Sequence, residues 1–195
     1  MSTKHSKLNG ATAFTIIASI VFLLVAPLTS HANNECRPDQ TQLQNQAAIP
    51  FGGLTVLGQM FVPNVQGHQV CMVKVHISKN LAGAKNLTLR VVRPNFTELD
   101  VATIAGADIP MGNSVQVFDF GCNGAALVGM PFYGLKLESK SSPMGAYSWK
   151  GIGGNVYNRP GEGDKGWRNV NDGVGNWTSL AAGTWDFAFE VYLCS

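Results

Sequence analysis

The stretch QVCMVKVHIS, residues 69–78, decides the fold, because its side chains alternate between apolar and polar. The apolar row consists of Cys71, Val73, Val75 and Ile77. Lys74 and His76 face the other way. Successive side chains of a β-strand point to opposite faces of a sheet, so this pattern predicts a strand with one buried face.

Six further runs have the composition of short strands, and turn-forming residues separate them. They are LTVLGQMFVP (54–63), NLTLRVVRP (86–94), SVQVFDFGC (114–122), PFYGLKLES (131–139), AYSWKG (146–151) and WDFAFEVYLC (185–194). Seven short strands with hardly a helical period predict an all-β fold, an antiparallel two-sheet β-sandwich. A single sheet would leave its apolar face in contact with water.

Residues 1–32 have the pattern of a secretory signal peptide. Lys4 and Lys7 form a basic start, an apolar run covers residues 11–28, and small residues precede a cleavage position after Ala32. An uncleaved anchor is the alternative, but threonine, serine and proline interrupt the apolar run. We therefore predict a secreted or periplasmic protein that has no membrane span after cleavage.

The remainder of the chain is electrically neutral. Removal of Lys4 and Lys7 lowers the number of Lys and Arg from 14 to 12, which equals the 12 Asp and Glu. A neutral chain without a basic cluster argues against a nucleic-acid partner and against electrostatic attraction to a membrane. We divide it into a polar coil over residues 33–53 and one β-sandwich domain over residues 54–195.

All four cysteines, Cys36, Cys71, Cys122 and Cys194, follow the signal peptide. An even number of cysteines in an exported chain predicts two disulfides, for which three pairings can be drawn. Strand alternation places Cys71 and Cys122 on apolar faces and Cys194 on a less apolar one. This favours Cys71 with Cys122 and Cys36 with Cys194, while the other two pairings stay open.

Eight strand and turn motifs follow one another in a recognisable order. They are GQMFVP (58–63), VCMVKVHISK (70–79), LTLRVVRP (87–94), VQVFDF (115–120), GLKLES (134–139), YSWKG (147–151), GGNVY (153–157) and WDFAFEVY (185–192). Over about residues 54–194 the chain resembles a β-sandwich module of bacterial secreted and surface proteins, a jelly roll of the galactose-binding-domain-like type. The resemblance implies a binding or spacer module without a catalytic centre. Such modules commonly lack disulfides, whereas this chain has four cysteines.

A long polar loop, residues 157–177, is rich in Gly, Asn and Trp. Aromatic faces hold sugar rings, and Asn, Asp and Arg bond the hydroxyl groups, so this composition suits carbohydrate. The candidate ligand-binding residues are Tyr147, Trp149, Tyr157, Arg159, Trp167, Arg168, Asn169, Asn171, Asp172 and Trp177. The alternative is that Trp149 and Trp177 plug the ends of the sandwich while Gly and Asn form turns. Trp167 fits that alternative least, because its neighbours are polar.

Catalytic chemistry finds little support in the sequence. His68 and His76 are the histidines that follow the signal peptide, and about 26 Å would separate them in a straight strand. No nucleophile, metal or phosphate motif is present, so we predict no metal site, no cofactor and no enzymatic activity. Outward-facing carboxylates such as Asp119 and Glu190 leave a glycoside hydrolase as the third option.

These observations lead us to expect a secreted, non-catalytic β-sandwich protein. Its partner would be a carbohydrate or another cell-surface polymer, bound through the aromatic and Asn-rich loop. The alternative is a structural or protein-interaction module, adhesin-like or part of the envelope, whose partner would be an envelope protein.

Overall fold

The computed structural model describes residues 35–122, 124, 126–154, 166–171, 173, 176–180 and 185–194. These residues form thirteen strands and one 3₁₀ turn, Gly106–Asp108. The strands are β1 (Cys36–Gln42), β2 (Ala47–Phe51), β3 (Val56–Phe61), β4 (Gln69–Lys79), β5 (Leu87–Val92), β6 (Glu98–Ile104), β7 (Gly112–Asp119), β8 (Tyr133–Glu138), β9 (Tyr147–Gly153), β10 (Gly166–Asn169), β11 (Thr178–Ser179), β12 (Trp185–Phe187) and β13 (Phe189–Cys194). Within the described ranges, no helix has the length and apolarity that a membrane span requires.

The strands form two antiparallel sheets that pack on a common core. The first sheet has the order β1-β13-β4-β9-β12, with β2 paired to β9 and β7 paired to β4. The second sheet has the order β11-β10-β3-β8-β5-β6. The predicted all-β fold, an antiparallel two-sheet β-sandwich, is thereby confirmed.

Alternating apolar rows from both sheets fill the core. The rows include Val73, Val75 and Ile77 of β4, Leu87, Leu89 and Val91 of β5, Leu135 and Leu137 of β8, and Phe189, Val191 and Leu193 of β13. Burial of one such Leu or Phe stabilises a fold by roughly 1.5 to 3 kcal/mol. The alternation read from the sequence therefore reports the buried faces of these strands correctly.

The polar coil predicted over residues 33–53 is wrong where the structure describes this segment. β1 pairs with β13, and β2 pairs with β9, so both complete the first sheet. Gln40 and Gln42 of β1 are buried, and the side chain of Gln42 donates a hydrogen bond to the carbonyl of Phe187 at 3.3 Å. The strand partners of β1 and β2 lie far along the chain, and such partners leave no trace in local composition.

The structure joins all four cysteines in disulfides, but the favoured pairing is wrong. Cys36 is bonded to Cys71, and Cys122 is bonded to Cys194. The described residues contain no free cysteine.

A β-bulge explains why alternation misplaced Cys71. Tyr192 of β13 lies opposite Met72, and the next residue, Leu193, lies opposite Val70, so Cys71 has no partner in the ladder. The extra residue of a bulge breaks the two-residue repeat. Val70 therefore joins the core cluster, and Cys71 is free to reach β1.

Cys122 was misplaced because its strand ends early. β7 stops at Asp119, and Gly121 has φ 62°, a left-handed conformation that turns the chain. Cys122 therefore does not continue the inward row of Phe118, and its sulfur meets β13.

The signal peptide predicted over residues 1–32 lies outside the described residues. The signal peptide, the cleavage after Ala32 and the domain boundaries built on them stay predictions.

We predict that Leu137→Ala lowers the free energy of unfolding by about 2 to 5 kcal/mol, because it leaves a cavity in the core. Leu137 is 0% exposed, whereas Leu54 is 60% exposed and serves as the matched control in Leu54→Ala. Urea unfolding followed by circular dichroism measures both. Equal stability losses in the two variants would contradict the core described above.

The disulfide pairing makes a second prediction, for digestion by trypsin without reduction. Trypsin does not cut Arg37 from Pro38, so one peptide that ends at Lys74 contains both Cys36 and Cys71. It should be released with an internal bridge, while the peptide with Cys122 stays linked to the peptide with Cys194. Mass spectrometry of the digest checks this, and a link between the first peptide and either of the others would refute the pairing.

Candidate functional site

The outer face of the second sheet carries a cleft, and small side chains on β3 and β8 make room for it. Leu57 and Phe61 of β3 point into the core, so Gly58 and Met60 between them point outward. Gly134 of β8 lies opposite Met60. A Cβ atom on Gly134 would lie only 3.2 Å from the sulfur of Met60, so the bare glycine lets Met60 form the floor.

An aromatic pair forms one wall of this cleft. The rings of Trp177 and Phe96 stack with centroids 4.7 Å apart and planes inclined by 7°. A Cβ atom on Gly58 would come within 3.3 Å of the Trp177 indole, so the indole lies directly against the backbone of β3. The glycine thus sets the position of the aromatic pair on the sheet.

The cleft is open and mainly apolar, with a volume of about 260 Å³. Its lining consists of Met60, Pro94, Phe96, Phe132, Trp167, Asn176 and Trp177. Phe96 is 37% exposed, and Asn176 is exposed as well, so an apolar surface with one amide at its edge faces solvent. We call this set of residues the aromatic cleft.

Phe96 occupies an unusual backbone conformation. Its φ of 64° is the one positive φ of a non-glycine residue among the described residues. The loop is fixed by two hydrogen bonds, from the Phe96 amide to the Arg93 carbonyl at 2.8 Å and from the Arg93 amide to the Thr97 carbonyl at 2.9 Å. The left-handed region is rare for bulky residues and costs of order 1 to 3 kcal/mol. This conformation places the ring of Phe96 on Trp177.

Trp167 enters the aromatic cleft from β10. It lies opposite Gly58 of β3 and opposite Ser179 of β11, and it is half-buried. The indole nitrogens of Trp167 and Trp177 are both out of contact with solvent and have no acceptor among the described protein atoms. Buried N–H groups without a partner are uncommon and often mark a place for a water molecule or a ligand.

Three of the other predicted ligand-binding residues lie beside Trp167. Arg168 and Asn171 are exposed. Asn169 is buried, and its side-chain oxygen accepts hydrogen bonds from the amides of Asn171 at 2.7 Å and Gly173 at 3.0 Å. Its side-chain nitrogen donates to the Asn176 carbonyl at 3.1 Å, so Asn169 shapes the loop that carries Trp177.

The structure contradicts the prediction that Tyr147 and Trp149 bind a ligand. Both are 0% exposed and belong to the core, so neither is available to a ligand on the surface. Trp149 stacks on Phe187 with ring centroids 4.3 Å apart, and its indole N–H donates to the Ala188 carbonyl at 3.0 Å. The hydroxyl of Tyr147 donates to the Lys85 carbonyl at 2.6 Å. Trp149 therefore fills the sandwich, as the alternative reading of the sequence proposed.

The remaining candidates, Tyr157, Arg159 and Asp172, lie outside the described residues.

A charged network lies on the same outer face. Arg90 of β5 donates a hydrogen bond to Glu138 at 2.8 Å and contacts Glu98, and Lys136 lies 3.3 Å from Glu138. Desolvation lowers the pKa of Arg90, but the contacts with Glu138 and Glu98 outweigh it and leave the pKa raised. Arg90 and Glu138 also line a polar groove of about 360 Å³ with Lys85, Asn86, Thr88, Lys140 and Ser141.

The titratable residues considered for catalysis lie in structural contacts. Glu190 accepts a hydrogen bond from Tyr192 at 2.7 Å and lies 3.7 Å from Lys74, and Asp119 accepts one from the Gly121 amide at 2.9 Å. Burial lowers the pKa of His76. Across the described ranges, no group of three His, Cys, Asp or Glu side chains is placed to hold a metal ion.

No protein-family model matches the chain, and no curated protein matches it. The fold and the aromatic cleft are therefore the basis for any functional conclusion.

Five residues of the aromatic cleft were not among the predicted ligand-binding residues: Met60, Pro94, Phe96, Phe132 and Asn176. Met60, Pro94 and Phe132 lie within runs predicted as strands, and Asn176 lies in the predicted loop. The signal for Phe96 was an aromatic residue in the turn sequence PNFT, residues 94–97. Nothing in the linear sequence brings this turn to Trp177, because the turn follows β5 and Trp177 precedes β11, and these strands are not neighbours in the sheet.

Proposed function

We propose that the protein binds carbohydrate or a related cell-surface polymer in the aromatic cleft and does not transform it. The observation that carries the proposal is the stacked pair of Trp177 and Phe96 at the rim of an open cleft, where Phe96 is exposed and Trp177 is half-buried. Flat aromatic surfaces attract the C–H faces of sugar rings, and an indole combines an apolar face with a polar N–H. A wholly apolar ligand would instead favour an enclosed cavity.

Polar groups around the aromatic cleft support a hydroxyl-rich ligand. Asn176 is exposed and offers a donor and an acceptor at the rim. The network of Arg90, Glu98 and Glu138 adds fixed charges on the same face. A sugar polymer lying on this face would stack on the cleft and bond to these groups through its hydroxyls.

The strained backbone of Phe96 is a second support. A left-handed phenylalanine is unfavourable and persists where the surrounding structure holds it, which is common at binding sites. Here it places an exposed ring where a flat ligand would rest. The described lining of the aromatic cleft also contains no carboxylate, which favours binding over hydrolysis.

The proposal includes export from the cytoplasm. The bonds Cys36–Cys71 and Cys122–Cys194 are typical of proteins that fold in an oxidising compartment. This agrees with the signal peptide proposed for residues 1–32.

We predict that Trp177→Ala and Phe96→Ala each weaken polysaccharide binding about tenfold or more. Each variant removes half of the stacking surface, and a loss near 1.4 kcal/mol corresponds to a factor of ten. Affinity electrophoresis in gels that contain neutral or acidic polysaccharides measures the retardation of each variant.

Tyr192→Ala is the matched control, because Tyr192 is an aromatic residue on the outer face of the first sheet, bonded to Lys74 and Glu190. It should be retarded like the unmodified protein. The binding proposal fails if no polysaccharide retards the unmodified protein. The assignment to the aromatic cleft fails if binding occurs and the two cleft variants keep it.

A further inference from the structure

One strand of the first sheet has an open edge. β7 pairs with β4 over its whole length, from Lys79 opposite Gly112 to Met72 opposite Asp119. On its other side β7 pairs with no strand of the described part of the chain. Its outward N–H and C=O groups are therefore available to a further strand.

The other outer strands carry features that discourage pairing. β1 contains Pro38 and a bulge next to it, and β2 contains Pro50. β6 has a bulge and carries Glu98 and Asp100, while β11 and β12 have only two and three residues. Proline, bulges, charges and shortness are the usual means of blunting a sheet edge.

β7 has none of these protections. It has eight residues in regular register with β4, and its one charged residue, Asp119, is at its end. Val115 and Val117 point away from the core and are 46% and 48% exposed, whereas Phe118 is buried. The strand therefore presents a regular edge with two exposed β-branched side chains.

We propose that β7 pairs antiparallel with β7 of a second copy of this chain, about a two-fold axis at Gln116. In this register Val115 lies opposite Val117 of the second copy, and Asn113 lies opposite Asp119. Both valine pairs lie on one face, and no like charges meet. Cross-strand apolar pairs of this kind stabilise a ladder, whereas like charges would weaken it.

Other registers of β7 against β7 of a second copy fit less well, so the pairing about Gln116 is favoured over its neighbours. A shift by two residues places Asp119 opposite Val115, or places Asn113 opposite Val117. A shift by one residue turns the valines of one copy toward the core face of the other. The self-complementary register is what an isologous two-fold interface requires.

The test is the mass of the exported protein with intact disulfides, measured by sedimentation and by light scattering. The unmodified protein should have twice the mass of one chain. V115K/V117K should have the mass of one chain, because four ammonium groups would meet at the interface. V115K/V117E should regain twice the mass, because each lysine then faces a glutamate of the second copy.

Val101→Lys is the control, since Val101 is 43% exposed on the outer strand β6 and lies outside the proposed interface. It should leave the dimer intact. Circular dichroism confirms that each variant is folded, which we expect because all three valines are exposed. The proposal is overturned if the unmodified protein has the mass of one chain, if V115K/V117K stays dimeric, or if V115K/V117E stays monomeric. None of these outcomes depends on carbohydrate binding.

Discussion

Burial of the inward rows of β4, β5 and β8 in one core is the constraint on which the rest of the structure depends. Side chains alternate along a strand, so the neighbours of each residue that points into the core point toward the surface. On β3 and β8 this places Gly58, Met60 and Gly134 outside, where they make room for the aromatic cleft. On β7 it places Val115 and Val117 outside. The two surfaces for which we propose partners are thus consequences of how the core is packed.

The fold was largely predictable because the strands with the clearest apolar alternation are those that build the core. Alternation identified β4, β5 and β13 directly, and the sandwich follows from the need to cover their apolar faces. β1 was missed because its sequence is polar and buries two glutamines, and because its strand partner β13 lies far along the chain. The cysteine pairing failed for a related reason: the bulge at Cys71 and the turn at Gly121 change which way a side chain points, and both depend on contacts between strands.

The site was predictable only in part. Composition located Trp167 and Trp177 in the right loop, but the predicted site also included Trp149, which belongs to a predicted strand and lies in the core. The difference is positional, because Trp149 is on the inward face of β9 and Trp167 is on the outward face of β10. Phe96 was beyond the reach of local reasoning, since its role depends on a left-handed backbone and on a tryptophan from another loop.

The pairing of β1 with β13 has a consequence for how the chain folds. The first described strand lies beside the last one, with Cys36 opposite Cys194, so the first sheet is assembled from segments at opposite ends of the described chain. Contacts between distant segments form slowly, because a long loop must close before they contribute. The order of synthesis therefore does not set the order of folding. β1 has no strand neighbour in the sheet until β13 is in place, so we expect this edge of the first sheet to be completed late.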